Sequence, residues 1–191
     1  WKLNDMFDQI HWKEISYNNL LDIDAAVNLN DEFDELTFAI LKHNNACCIA
    51  SRDNFVDAWK DALAGDPVSA FGGILVTNTN INKEVAEEIN KIFFEVIIAP
   101  AYDEDALDVL KQKKNRIILV RKECKTSPVQ FRSLLNGVLM QQKDLSIQVA
   151  ADLEPMTDKQ PTSQEVEDLL FANKIVKNSK SNAITLVKNK Q

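Results

Sequence analysis

Residues 37–73, TFAILKHNNACCIASRDNFVDAWKDALAGDPVSAFGG, decide how the rest of the chain is read. Thr37-Phe38-Ala39-Ile40-Leu41 is a short apolar, partly β-branched run with the length and composition of a buried strand. It ends in the polar tip Lys42-His43-Asn44-Asn45. Ser51 or Asp53 then starts a helix carrying Phe55, Val56, Trp59 and Leu63 on its inner side. Gly65 stops it ahead of Asp66-Pro67. Ser69-Ala70-Phe71-Gly72-Gly73 is a tight, small-residue loop, and Ile74-Leu75-Val76 is a second buried strand. Strand, helix and strand in this order are the unit of an open α/β sheet, where ligands collect beyond the carboxyl ends of strands. Lys42 and His43 are a site candidate from position alone.

Working outward, residues 1–17 carry Trp1, Met6, Phe7, Ile10, Trp12 and Ile15 among polar residues and read as an irregular or partly extended lead-in. Asn18 or Asn19 caps a helix whose face is Leu20, Ile23 and Val27. Downstream, Asn82 caps a helix with Val85, Ala86, Ile89, Ile92 and Phe93 inward. Val96–Ala99 is a strand stopped by Pro100. Asp103-Glu104-Asp105 opens a further helix, acidic where the helix dipole is positive. Ile117–Val120 is the fourth strand. The alternation predicts an α/β fold with a mixed, mostly parallel sheet between helical layers. After Glu123 the pattern changes. Residues 131–140 read as extended, broken at Asn136-Gly137, and residues 141–161 as a polar linker or crossover. Thr162 and Glu165 form a capping box in front of a strong helix, and Asn182 opens a last strand, Ala183–Val187.

The 191 residues suffice for one domain with a substantial core. The net charge of −7 argues against a nucleic-acid-binding surface. The three cysteines, Cys47, Cys48 and Cys124, are odd in number and two are adjacent, so they form no secreted disulfide framework and fit a reducing cytoplasm. No run approaches the ~18 apolar residues of a membrane span. The chain starts without methionine or a signal peptide and reads as a piece of a longer one.

At a strand tip His43 can act as a general base, because histidine exchanges protons near neutral pH; the alternative is a structural, hydrogen-bonded ring. Lys42 can stabilise a developing oxyanion or be a solvated strand end. Neighbouring strand residues point to opposite faces, so the two converge only where the strand ends or bends. Cys47, four residues on, raises a metal site, but zinc needs three or four ligands and the chain offers no such set. As a nucleophile it competes with a plain buried role. The Ser69–Gly73 loop can hold a phosphate or a ring, or be an ordinary turn. Glu95 is an edge acid or a hydrogen-bond acceptor for a ligand, and Asn182 a cap or a polar contact.

Taken together, the motifs are more specific than any one of them. Lys42-His43-Asn44-Asn45-Ala46-Cys47 resembles the KH(T/N)NPC signature of AICAR transformylases, the formyltransferase portion of a bifunctional purine enzyme whose other portion is IMP cyclohydrolase. The resemblance continues through Ile15–Asp22, Ala64–Gly73, Phe94–Pro100, Leu110–Asn115 and Lys180–Ala183, in order along nearly the whole chain. It implies a cytidine deaminase-like, three-layer α/β/α fold without the deaminase zinc ligands. It also implies formyl transfer from 10-formyltetrahydrofolate, as co-substrate, to the 5-amino group of AICAR. By the resemblance Lys42, His43 and Asn182 are catalytic, and Asn44, Phe71, Gly72 and Glu95 bind substrate. No metal is required, and the whole family member is a homodimer. Residues 1–140 then correspond to a first deaminase-like subdomain, 141–161 to the crossover and 162–191 to the start of a second. The cyclohydrolase portion and two anion-binding segments lie outside the chain, so turnover by this piece alone is expected to be incomplete. A non-catalytic homologue that binds a purine nucleotide or only pairs with another chain is the rival reading; a zinc hydrolase of the related fold ranks behind it. Ala46 stands where many members have proline. Cys48 stands where glycine is usual, and it crowds the turn if that position needs a positive φ.

Overall fold

The computed structural model describes residues 3–11, 14–124 and 126–191. Trp1 and Trp12, counted in the lead-in, lie outside them. Numbered along the chain, the strands are β1 (Phe7–His11), β2 (Thr37–Lys42), β3 (Asn45–Ser51), β4 (Gly73–Thr77), β5 (Phe94–Ala99), β6 (Ile117–Arg121), β7 (Val129–Leu134) and β8 (Gly137–Gln142). The helices are α1 (Tyr17–Asn30), α2 (Phe55–Gly65), α3 (Lys83–Ile89), α4 (Glu104–Leu110) and α5 (Ser163–Lys177).

Six strands form one mixed sheet in the order β1-β6-β5-β4-β2-β3. β4, β5 and β6 are mutually parallel, whereas β2 runs against β4, β3 against β2 and β1 against β6. Four of the six strands, β3 to β6, therefore point the same way. The sheet is mostly parallel in direction, as the alternation predicts, with β1 and β2 reversed.

Side chains alternate across it as strand geometry requires. Phe38, Ile40, Leu75, Ile97 and Ile118 face one layer, where Ala58, Trp59, Val85, Ile89, Ala106 and Leu110 of α2, α3 and α4 cover them. Ala39, Leu41, Ile74, Val76, Ile98 and Leu119 face the other, against Ile23, Val27 and Leu29 of α1 and Phe171 and Ile175 of α5. The result is three layers, α/β/α. Phe171 meets Phe33 at 5.1 Å between ring centroids, which ties α5 to the α1 side of the sheet.

Four local expectations change. The tip after Leu41 is a hairpin turn: Lys42 pairs with Asn45, and the return strand β3 occupies 45–51, where no strand was expected. The helix capped by Asn82 ends at Ile89, so Phe93 lies beyond it and is exposed rather than inward; the partly extended lead-in, by contrast, holds as the edge strand β1, paired with β6 and with only Phe7 buried. The caps are Ser16 and Asn54 rather than Asn18 or Asn19 and Ser51 or Asp53, and Asn19 instead closes a capping box with Ser16. Residues 182–187 form no strand: among the described strands none offers them a ladder, and Ile184 and Leu186 are exposed. The capping box of α5 and the break at Asn136-Gly137, now the turn between β7 and β8, are where the sequence puts them.

Candidate functional site

β2 ends at Lys42, and His43 and Asn44 make the two-residue turn to β3 with φ of 55° and 65°. Left-handed backbone at both central positions is the requirement of the tight hairpin turn that matches strand twist, and asparagine tolerates it better than most residues. The strand thus ends between Lys42 and His43, which frees the two side chains from opposite-face geometry. The turn is pinned from outside: the Asn44 N–H donates to Asp22 Oδ1 of α1 at 2.7 Å, and Asn45 Oδ1 accepts from the Lys180 N–H at 2.7 Å. The His43 imidazole is exposed and makes no hydrogen bond among the described residues, which leaves both ring nitrogens available.

Lys42 Nζ donates to the Phe71 carbonyl at 2.8 Å. That bond ties the strand tip to the Asp66–Gly73 loop. The loop is held internally by the Ser69 N–H on Asp66 Oδ1 at 2.9 Å and by the Gly72 N–H on the Phe93 carbonyl at 2.9 Å. Gly72 has φ 74°, a conformation glycine adopts without strain, and the turn it makes leaves the Phe71 ring exposed beside Phe93, 5.3 Å between centroids. Hydrogen bonds from the Ser69 hydroxyl and backbone N–H, with a smaller contribution from the nearby Lys42 charge, hold the Asp66 carboxyl below the usual carboxylate range.

Glu95, the second residue of β5, is half-buried. Its Oε2 accepts from Asn19 Nδ2 of α1 at 2.9 Å. Gly73 pairs with Phe94, so Lys42, His43, Phe71, Gly72 and Glu95 all lie at one end of the sheet. That end is the carboxyl end of β2 but the amino end of β4, β5 and β6, because β2 is reversed. A cavity of about 610 Å³, lined by Asn30, Thr77, Asn78, Pro100 and Arg121 among others, occupies the opposite end, beyond the carboxyl ends of the parallel strands. Asn182 is exposed and lies two residues beyond Lys180, the residue bonded to Asn45; no hydrogen bond joins it to Lys42 or His43. Asn19, Asp22 and Asp66 brace this end and were not singled out for it from sequence. The sequence marks Asn19 only as a cap; its side chain serves both the capping box and Glu95.

Cys48 does not occupy a positive-φ position, so the crowding expected of it does not arise. Its thiol sits in the α2 layer, against the Asp66 carbonyl at 3.5 Å. No group of three or more histidine, cysteine or acidic side chains suited to a metal ion occurs among the described residues.

The family profile described as AICARFT/IMPCHase bienzyme matches residues 2–191. The chain belongs to that family. It is 73% identical over 189 residues to the bifunctional purine biosynthesis protein PurH of Bacteroides thetaiotaomicron, a match that takes in 99% of this chain and 37% of that protein. The PurH of Ruminiclostridium cellulolyticum is 46% identical over 186 residues, 95% of this chain and 36% of its own length. The chain thus spans a little over a third of the relatives it matches. Among solved structures, a putative formate dehydrogenase accessory protein from Desulfotalea psychrophila aligns with 61% of this chain and 58% of its own at 10% identity and a TM-score of 0.38.

Proposed function

We propose that this chain holds the proton-transfer part of an AICAR formyltransferase site, acting in purine biosynthesis in the cytoplasm, with AICAR and 10-formyltetrahydrofolate as the small-molecule substrates. The observation that carries the proposal is the meeting of Lys42, His43 and the Phe71-Gly72 loop at one end of the sheet, in a chain that matches the family over residues 2–191.

The 5-amino group of AICAR is a weak nucleophile because the imidazole and its carboxamide withdraw electron density. Attack on the formyl carbon must be accompanied by removal of an amine proton. The exposed, unpaired His43 imidazole takes that proton, and the bond from the formyl carbon to the folate nitrogen then breaks as that nitrogen is protonated. Lys42, aimed along the loop by its bond to Phe71, supplies positive charge to the tetrahedral oxyanion. The Phe71 ring offers a face for the planar base, with Gly72 leaving room beside it. Glu95 accepts from the AICAR amide or a hydroxyl, Asn44 lines the turn, and Asn182 contacts the reacting groups. None of these steps uses a metal. The remaining phosphate contacts belong to the longer protein, in which we place formyl transfer by a homodimer; the isolated chain binds AICAR with little or no turnover.

Calorimetric titration of the chain with AICAR, repeated with Lys42→Ala and His43→Ala, tests the site. Binding that either substitution weakens is expected. Absence of binding at millimolar AICAR overturns the claim that this piece holds a usable part of the site. Robust formyl transfer by the chain alone overturns the assignment of turnover to the longer protein.

A further inference from the structure

Register in the β2–β3 hairpin slips between Ile40 and Leu41: Leu41 faces Ala46, whereas Ile40 faces Cys48. Cys47 is therefore the extra residue of a β-bulge. A bulge sets two consecutive residues against one, and it can turn both side chains to the same side of the sheet. The packing agrees. Ala46 and Ile49 lie in the α1 layer, but Cys47 and Cys48 both lie in the α2 layer. Their sulfurs are 3.7 Å apart. Two adjacent cysteines in a regular strand would be on opposite faces and unable to meet.

We propose that Cys47 and Cys48 are a peroxide-oxidisable dithiol, with Cys47 the attacking sulfur and Cys48 the resolving one. The two thiols differ in surroundings. Cys47 is half-buried and its thiolate is favoured by the Lys42 charge, whereas Cys48 is 5% exposed and lies against the Asp66 backbone carbonyl at 3.5 Å. The single Cys48 S–H can turn either to the Asp66 carbonyl or to the Cys47 sulfur; donated to Cys47, it lowers the pKa of that thiol. The same bond, with burial, raises that of Cys48. The Cys47 thiolate attacks one oxygen of hydrogen peroxide, the O–O bond breaks, and Cys47 becomes a sulfenic acid as hydroxide leaves. The Cys48 sulfur then gives up its proton and attacks the Cys47 sulfur; the S–S bond forms and the sulfenic oxygen leaves as water. Two electrons pass from the sulfurs to the peroxide, and both thiol protons end in water. Adjacent Cα atoms are ~3.8 Å apart, below the usual span of a disulfide, so the ring is strained and readily reduced by an external dithiol. The result is a reversible mark, formed at the expense of the Cys47–Ile40 and Cys48–Asp66 hydrogen bonds beside the Lys42 loop.

The test uses the reduced chain with Cys124→Ser, exposed to hydrogen peroxide and read by mass spectrometry of the intact monomer and its peptides. The expected product has lost two hydrogen masses at the 47–48 peptide and regains them with dithiothreitol. Adding Cys48→Ser, or Cys48→Gly where the serine variant does not keep its circular dichroism, is expected to stop the reaction at a Cys47 sulfenic acid that dimedone traps. Oxygen addition at Cys47 in the Cys124→Ser chain at the rate seen without Cys48, with no loss of hydrogen, overturns the proposal. So does a chain whose Cys47 and Cys48 stay reduced while free thiol in the same solution is oxidised.

Discussion

At the scale of single residues, Lys42 and His43 carry the clearest prediction. In the longer protein, His43→Ala is expected to lower kcat by about 10²–10⁴-fold, the usual contribution of a positioned acid–base group, with a smaller change in AICAR affinity. Steady-state kinetics at saturating folate checks it, and an unchanged kcat would remove His43 from the chemistry. Gly73 gives a stability prediction independent of function. A Cβ there would meet the Ala70 carbonyl and Ile40 Cγ2 at 3.0 Å and the Leu41 carbonyl at 3.1 Å. Two of those neighbours are backbone, so Gly73→Ala should cost about 1–3 kcal/mol in urea unfolding. The residue types of the candidate site were legible in the sequence because a charged tip on an apolar run is a local signal. Their bracing was not: Asp22 under Asn44, Asn19 under Glu95 and Phe71 under Lys42 are pairings across 22, 76 and 29 residues that no local pattern reveals.

At the scale of elements, α5 is the most self-contained. Thr162 accepts from the Glu165 N–H at 3.2 Å, while Glu165 accepts from the Thr162 N–H at 2.7 Å. Thr162→Ala should cost about 1 kcal/mol. The Thr162 N–H, with Lys159, holds the Glu165 carboxyl down to about 2. A depressed carboxyl pKa stabilises the fold fully above its ordinary value of 4.5, and that contribution is lost as pH falls through 2. Unfolding midpoints measured from pH 5 to 2 should therefore drop less in Glu165→Gln than in the unsubstituted chain; parallel curves would count against this reading. The box was legible because its two residues are three apart. β3 was not, since Asn45-Ala46-Cys47-Cys48-Ile49-Ala50-Ser51 mixes small and polar residues without period-two alternation, and the bulge at Cys47 breaks what alternation there is. The expected strand at 183–187 has the composition of one but no neighbour to pair with, and composition reports only the former.

At the scale of the whole molecule, the β7–β8 hairpin stands out. Phe131, Leu134, Leu135, Val138, Leu139 and Met140 are all exposed, Leu135 fully. Apolar surface this dense on a free two-stranded ribbon promotes association. Sedimentation velocity of this chain across a concentration series should show self-association that Leu135→Lys with Leu139→Lys reduces; a clean monomer at every concentration would contradict it. The three-layer architecture was legible from the alternation of helices and strands. The reversal of β2 was not, because a strand's direction depends on which neighbour it meets.

The strand order has a further consequence, for how the protein is made. Of the six strands in this sheet β1 is made before the others, yet its ladder partner is β6: Phe7 pairs with Arg121, and the Lys122 N–H closes on the Met6 carbonyl. At a translation rate of ~5–20 residues per second, roughly 6–20 seconds pass between synthesis of the two strands. Throughout that interval the nascent chain can assemble β2, β3 and β4 locally, while β1 waits with Phe7 uncovered. The earliest-made strand of this sheet is thus among the last to dock, and cellular folding factors have that interval in which to hold it.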